Sequence, residues 1–222
     1  MKTYLVTGGT GFIGSNLVHR LVKDGHKVKV LDNNLRGMST RLNDISNQLE
    51  LIEADIRDLK KVEDACQGVD SVCHLAYING TEFFYSKPEL VLDVGVKCMV
   101  NVIDACIKAE VKELILASSS EVYQTPPVIP TDETVPFSIP DPLNPRYSYA
   151  GGKIISELMV INYGRKYFER VIIFRPHNVY GADMGWEHVI PQVIVRMKEL
   201  CQKTHHQKID FPIQGTGEET RA

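Results

Sequence analysis

Thr3-Tyr4-Leu5-Val6-Thr7-Gly8-Gly9-Thr10-Gly11-Phe12-Ile13-Gly14 opens the chain and decides its architecture. A strand-forming run, Thr3–Thr7, leads directly into glycines spaced G-x-x-G-x-x-G. These lead directly into residues 12–24, where apolar side chains recur at helical spacing. Residues without a Cβ permit a tight turn and a close approach of backbone to a ligand. The helix that follows aims unpaired N–H groups and the positive end of its dipole at the same spot, an arrangement that holds a pyrophosphate. Gly8, Gly11, Phe12, Ile13 and Gly14 are therefore candidate dinucleotide-contacting residues.

Working outward, a second apolar run ends in Leu31-Asp32-Asn33-Asn34, with Asp32 eighteen residues after Gly14. A carboxylate there can accept both hydroxyls of an adenosine ribose and repels a 2′-phosphate, which favours NAD over NADP, although Arg36 nearby keeps the second open. Further strands are expected at 3–7, 27–32, 49–53, 71–75, 113–118 and 170–175. Helices are expected at 12–24, 59–66, 89–109, 148–167 and 188–203. Short Val-, Ile- and Leu-rich strands alternating with helices predict an α/β fold, a doubly wound parallel sheet covered on both faces. Asp58 suits a helix N-cap, Gly25 and Gly68 suit helix stops, and Pro88 suits a first helical turn. Asp55, Ile56, Leu75 and Ala76 fall at C-terminal strand ends, where such a sheet binds its ligand. Asp55 equally suits a turn cap, and His74 a satisfied core position.

The composition excludes several function classes. Lys plus Arg is 25 against 28 for Asp plus Glu, a net charge of −3, and no basic block marks a nucleic-acid or anionic-membrane binder. No apolar run approaches membrane-helix length, and the first strand starts at once without a signal-peptide core, so a cytoplasmic protein is expected. The five cysteines, Cys66, Cys73, Cys98, Cys106 and Cys201, lack a CxxC pair and suit buried thiols better than a disulfide or metal site. No metal is expected. His205-His206 reads as a solvated pair. Trp186 and His188 read as packing a loop on the following helix, and residues 184–192 as a possible lining for the nucleotide end of a substrate.

Seven of the 11 prolines fall between Pro126 and Pro145, so an ordered surface excursion is expected there. Immediately after it, Tyr149-Ala150-Gly151-Gly152-Lys153 sets a phenol and an ammonium one helical turn apart, roughly 6 Å along one face. Such a pair alone is what chance supplies, so its place decides. It opens a helix and follows Ser118-Ser119-Ser120-Glu121-Val122-Tyr123 at the end of the fifth strand. A tyrosine's pKa is about 10, and a nearby cation lowers it. Lys153 together with a nicotinamide cation would make Tyr149 a general base at neutral pH.

The ordered set TGGTGFIG (7–14), Asp32, Asp55-Ile56-Arg57, His74-Leu75-Ala76, SSSEVY (118–123), YxxxK (149–153) and RPHNVYG (175–181) resembles the extended short-chain dehydrogenase/reductase family. Within it, the chain is similar to the NAD-dependent nucleotide-sugar epimerases, dehydratases and decarboxylases, over all 222 residues. The resemblance implies Tyr149 as acid/base and Lys153 as its partner and a ribose ligand. It further implies Ser119 as the hydroxyl at the sugar's O4, and Ser120, Asn178 and Arg221 as substrate contacts, the last two at the diphosphate. The implied reaction is 4-epimerisation of a UDP-hexose through a 4-keto intermediate, with hydride passing to and from bound NAD. A UDP-glucuronate-type decarboxylase or a 4,6-dehydratase is the alternative, and a catalytically silent NAD-binding module is the alternative from another class. The dehydratases carry Asp-Glu where Ser120-Glu121 stands, which disfavours dehydration. Glu121 is then either catalytic or structural. The family often has Asn where Gly95 stands and Gly where Cys98 stands.

The resulting expectation is a Rossmann-like cofactor domain over residues 1–175 and the start of a smaller substrate-binding domain over 176–222, truncated at its C-terminal side. On 89–109, Val91, Gly95, Cys98, Val102 and Cys106 form one apolar stripe, and Leu92, Val96, Met99, Ile103 and Ile107 a second. One stripe for the sheet and one for a partner predict a homodimer through helices 89–109 and 148–167. Broad burial within one subunit is the alternative.

Overall fold

The short apolar runs pair side by side as the alternation predicts. The computed structural model describes residues 1–186, 188–203 and 210–213. It holds β1 (Thr3–Thr7), β2 (Lys27–Asp32), β3 (Leu49–Glu53), β4 (Ser71–His74), β5 (Glu113–Ala117) and β6 (Arg170–Phe174). They form a sheet in the order β3-β2-β1-β4-β5-β6, and every neighbouring pair is parallel. Successive strand residues face opposite sides. Val6, Val30 and Cys73 therefore enter one buried cluster, while Leu5, Leu31, Val72 and Leu114 enter the other. Sequence order reverses across β1 and β4, so the loops leaving their C-terminal ends diverge and open a crevice.

Helices α1 (Phe12–Lys23), α2 (Leu59–Cys66), α3 (Thr81–Ser86), α4 (Pro88–Leu92), α5 (Cys98–Lys108), α6 (Ser148–Tyr167) and α7 (Val189–Lys203) complete the described elements. Asp58 caps α2 by accepting the Lys61 N–H at 3.2 Å, and Pro88 opens α4. Gly25 and Gly68 follow α1 and α2 at positive φ. The expected helix 89–109 forms as one helical run, α4 and α5 joined through a π-helical turn at Asp93–Lys97. That wider turn falls at Gly95, against which the side chain of Tyr77 is packed. A 3₁₀ segment at Ser39–Gln48 and the short α3 were not expected; the first is polar and lacks an apolar period.

The second stripe on 89–109 needs correction. Met99 and Ile103 are buried within the chain's own core, and the outward apolar side chains are Leu92 and Val100, with Ile155 and Leu158 on α6. Four cysteines are buried and free as expected, and burial pushes the Cys73 and Cys98 thiols up to about 12. Cys201, by contrast, is exposed.

The first compact unit runs Met1–His177, and a second begins at Asn178. In the second, Trp186 is 72% exposed, so its ring does not pack the loop on the helix. Its carbonyl makes the link, accepting Gln192 Nε2–H at 2.7 Å. Residues 210–213 are not a strand, and His205, His206 and Arg221 lie outside the described residues.

Candidate active site

The glycine loop is built for close approach. Gly8 has φ +73°, and a Cβ there would lie 2.7 Å from the Ala76 nitrogen; a Cβ on Gly14 would lie 2.1 Å from the Gly8 carbonyl oxygen. Gly8 thus lets the loop cross the end of β4, and Gly14 lets α1 sit tightly on the loop. Gly11 caps α1 without a side-chain hydrogen bond, leaving the first-turn N–H groups at Phe12 and Ile13 facing outward for an anion. Asp32 has a task the sequence does not reveal. One carboxylate oxygen accepts the Thr10 N–H at 3.0 Å and the other the Asn34 N–H at 2.9 Å, tying the loop to the end of β2. Each oxygen keeps acceptor capacity.

Gly8, Gly11, Asp32, Asp55, Ile56, Leu75 and Ala76 line one cleft enclosing about 660 Å³ of open space. Arg36 lines it as well, its guanidinium lying over the ring of Phe83 at 5.6 Å. Asp55 is held by Arg57, Nε–H to Oδ1 at 2.9 Å and Nη2–H to Oδ2 at 2.8 Å, and by Asn33 at 2.8 Å. These donors hold its carboxyl down at about 2. A glycine cradle and an acid at the end of β2 stand along its wall, an arrangement that can hold the adenosine side of a dinucleotide.

His74 takes the structural role. Its Nδ1 lies 2.8 Å from Thr7 Oγ1, joining β4 to β1, and Thr7 Oγ1 in turn accepts the Ala76 N–H at 3.3 Å. Burial, with Lys153 adding to it, pushes the imidazole down to about 3. In the unfolded chain a histidine protonates near 6.5. Below that pH the unfolded state binds a proton that the folded state refuses, so stability falls as pH drops from about 6.5 toward 3. Between pH 6.5 and 4.5 this group alone is expected to remove about 2 kcal/mol. Urea midpoints at the two pH values check this, and His74→Gln should flatten the difference.

At the end of β5 three serines divide the work. The Ser118 hydroxyl donates to Glu157 Oε1. Ser119 Oγ accepts the Glu121 N–H at 3.2 Å, and its hydroxyl pulls the Tyr149 phenol down. Ser120 starts a 3₁₀ turn, its N–H donating to the Pro176 carbonyl at 3.1 Å. Glu121 lies 3.5 Å from Arg146, with its side chain partly exposed. Tyr149 and Lys153 are both buried in the first turns of α6. Lys153 Nζ donates to the Ala117 carbonyl at 2.6 Å and lies 3.8 Å above the ring of Tyr77, against 5.8 Å for the ring of Tyr149.

The four-residue spacing from Lys153 does not by itself lower the phenol. Burial pushes Tyr149 up to about 12, with the Ser119 hydrogen bond pulling down and Glu121 pushing up, and burial brings Lys153 down to about 7. Desolvation outweighs the four-residue spacing, because the ammonium is turned toward Ala117 and Tyr77. A phenolate here requires the added positive charge of a bound nicotinamide.

Three residues not identified from sequence as site residues join the group. Tyr77 touches Lys153 and Tyr149, and the signal for it was the pair of glycines at 95 and 152. Glu157, fully buried, and Arg175 pair bidentately at 2.9 and 2.7 Å behind the serines; Glu157 stands one turn beyond Lys153, a spacing that places it on the same face. Asn178 belongs to the second unit.

Residues 4–222 match the NAD dependent epimerase/dehydratase family. The chain belongs to that family. It is 32% identical over 225 residues to a UDP-N-acetyl-alpha-D-glucosaminuronate decarboxylase of Bacillus cytotoxicus, covering 99% of this chain and 66% of that protein. Among solved structures, the UDP-N-acetylglucosamine 4-epimerase of Methanobrevibacter ruminantium in complex with UDP-N-acetylmuramic acid superposes with a TM-score of 0.79. That pair is 30% identical, over 89% of this chain and 63% of that one. The Thermus thermophilus UDP-glucose 4-epimerase, in complex with NAD, gives 0.77 at 28% identity, over 90% and 63%. The chain thus spans about two thirds of the length of these relatives. Among the described residues no helix is long and apolar enough to cross a membrane.

Proposed function

We propose that this chain carries the cofactor-binding and acid–base part of an NAD-dependent nucleotide-sugar 4-epimerase acting on a UDP-hexose. The observation that carries the reading is the buried group of Ser119, Tyr149 and, one turn on, Lys153 at the crevice end of β5, with Lys153 fixed on the Ala117 carbonyl. Gly8, Gly11, the first turn of α1, Asp32 and Lys153 would hold the dinucleotide, and Asp55, Ile56, Leu75 and Ala76 would wall it. When bound, NAD supplies a hydride acceptor and, later, donor. Tyr149 takes the proton from the sugar's C4 hydroxyl and afterwards returns it. Ser119, fixed by the Glu121 N–H, donates to the same oxygen and steadies it as the carbonyl forms. Lys153 offsets the phenolate's charge. Ser120, Asn178 and Arg221 are carried over as substrate contacts. Holding the reacting oxygen between two preset hydroxyls supplies orientation and electrostatic stabilisation together.

Glu121 facing Arg146 suits a 4-epimerase, in which no second carboxylate base is needed. The second reading is decarboxylation of a UDP-uronic acid, favoured by Ser120 standing where a dehydratase carries Asp and by the similarity to the Bacillus decarboxylase. Incubating the chain with NAD and UDP-glucose, UDP-N-acetylglucosamine or UDP-glucuronate, with products resolved by NMR, tests both. The C4 epimer of either hexose supports the first, and carbon dioxide with a UDP-pentose supports the second. No product from any sugar overturns both. The homodimer belongs to the same proposal: Leu92, Val100, Ile155 and Leu158 are exposed on α4, α5 and α6, and light scattering giving the mass of one chain removes it. A cytoplasmic setting, and a boundary near residue 175 between cofactor and substrate regions, complete it.

A further inference from the structure

Tyr77 leaves β4 three residues past its last residue and turns its ring into the interior between α6 and the π turn. Its hydroxyl occupies space that only two glycines leave free. A Cβ on Gly95 would lie 2.1 Å from that oxygen and 2.6 Å from the ring carbon bearing it. A Cβ on Gly152 would lie 2.2 Å from the same oxygen, with the ring carbon next at 3.5 Å. Ser156 binds the two glycines to each other, its Oγ lying 2.9 Å from the Gly95 carbonyl and 2.8 Å from that of Gly152. π turns concentrate at functional sites, and this one makes room for a phenol.

The ring then does two things at once. Its face lies 3.8 Å from Lys153 Nζ, and its edge meets the ring of Tyr149 at 5.1 Å and 81°, while its hydroxyl reaches the Tyr149 carbonyl at 3.5 Å. An aromatic face attracts a desolvated ammonium. We propose that Tyr77 is a positioning residue, holding the Lys153 ammonium between its ring and the Ala117 carbonyl and fixing the first turn of α6 against the π turn.

The proposal rests on the reading of Tyr149 and Lys153 as the acid–base pair. Burial raises the Tyr77 phenol further above its ordinary value than that of Tyr149, so Tyr77 stays protonated and does not compete as a base. The departure at position 95 gains a reason: the room a larger side chain would take is filled by Tyr77.

The test separates ring, hydroxyl and fold. In lysine-labelled protein, the terminal methylene protons of Lys153, assigned with Lys153→Arg, should lie upfield of other lysines because of the Tyr77 ring current. Tyr77→Phe should keep that shift and Tyr77→Leu should lose it. In the sugar assay, Tyr77→Leu should lower kcat about tenfold, and Tyr77→Phe should stay within about threefold of the parent. Gly152→Ala should be impaired and Gly152→Ala with Tyr77→Phe restored, because removing the hydroxyl leaves only the 3.5 Å contact. An unshifted Lys153 in the parent, a parental kcat in Tyr77→Leu, or no rescue in the double variant would overturn the proposal. The resonance and the rescue, followed by thermal unfolding, are read without turnover. A parent inactive on every sugar would sink the functional reading and leave these two to decide the placement of Lys153.

Discussion

Tyr149→Phe is expected to lower turnover by about a thousandfold while NAD affinity stays within about twofold of the parent. The substitution removes one oxygen and nothing else that holds the site. The ring of residue 149 remains packed at 5.1 Å against both Tyr77 and Phe84, so the first turn of α6 keeps its place. Ser119 still accepts the Glu121 N–H. Lys153 keeps its bond to Ala117. What disappears is the group that moves the proton at the sugar oxygen. The solvent-excluded site admits no ready substitute, since the nearest other phenol, Tyr77, is held protonated. NAD titration followed by fluorescence, with steady-state product formation, checks the two halves separately. Parental turnover in the phenylalanine variant would remove Tyr149 from the acid–base role. Weakened NAD binding with unchanged turnover would assign its hydroxyl to cofactor contact instead.

The legibility of this chain divides along physical lines. The strands were readable because central parallel strands must be apolar on both faces, and six short apolar runs separated by helical patterns leave few topologies. The glycine loop was readable because backbone approach forbids Cβ, which leaves a mark in the sequence. Asp32 was read as a ribose ligand, but its bonds to the Thr10 and Asn34 N–H groups were invisible, since they depend on how the loop folds back over β2. The π turn in helix 89–109 was equally hidden: Tyr77, which packs on Gly95 there, lies 18 residues away and enters from another element. The balance of burial against Lys153 at Tyr149 was hidden for the same reason. Spacing gives the distance along a helix, whereas the pKa follows from burial and from where Lys153 points, and both are tertiary properties.

Glu157→Ala should destabilise the chain by about 3–5 kcal/mol, the largest stability loss expected from one substitution near the site. The Glu157 carboxylate is fully buried and takes the Arg175 guanidinium as a fork at 2.9 and 2.7 Å, together with the Ser118 hydroxyl. Arg175 also donates to the Tyr123 hydroxyl and lies 4.7 Å from the ring centroid of Phe137 and 5.1 Å from that of Tyr123. One pair of charges thus joins α6, the ends of β5 and β6, and the proline-rich excursion. Deleting the carboxylate leaves a partly buried guanidinium with no anion, and that uncompensated charge, more than the loss of the bond itself, sets the cost. Replacing both partners with apolar groups of similar size, as in Glu157→Leu with Arg175→Met, should therefore recover much of the stability that the single change loses. Activity should not recover with it. Glu157 also supports the charged form of Lys153, so without it the ammonium, already brought down to about 7, titrates lower still and is largely neutral at pH 7. Urea unfolding of the single and double variants, read beside turnover at pH 6 and 7, distinguishes the two effects. Equal instability in both variants would show that the cost lies in packing around position 157 and not in the unpaired charge.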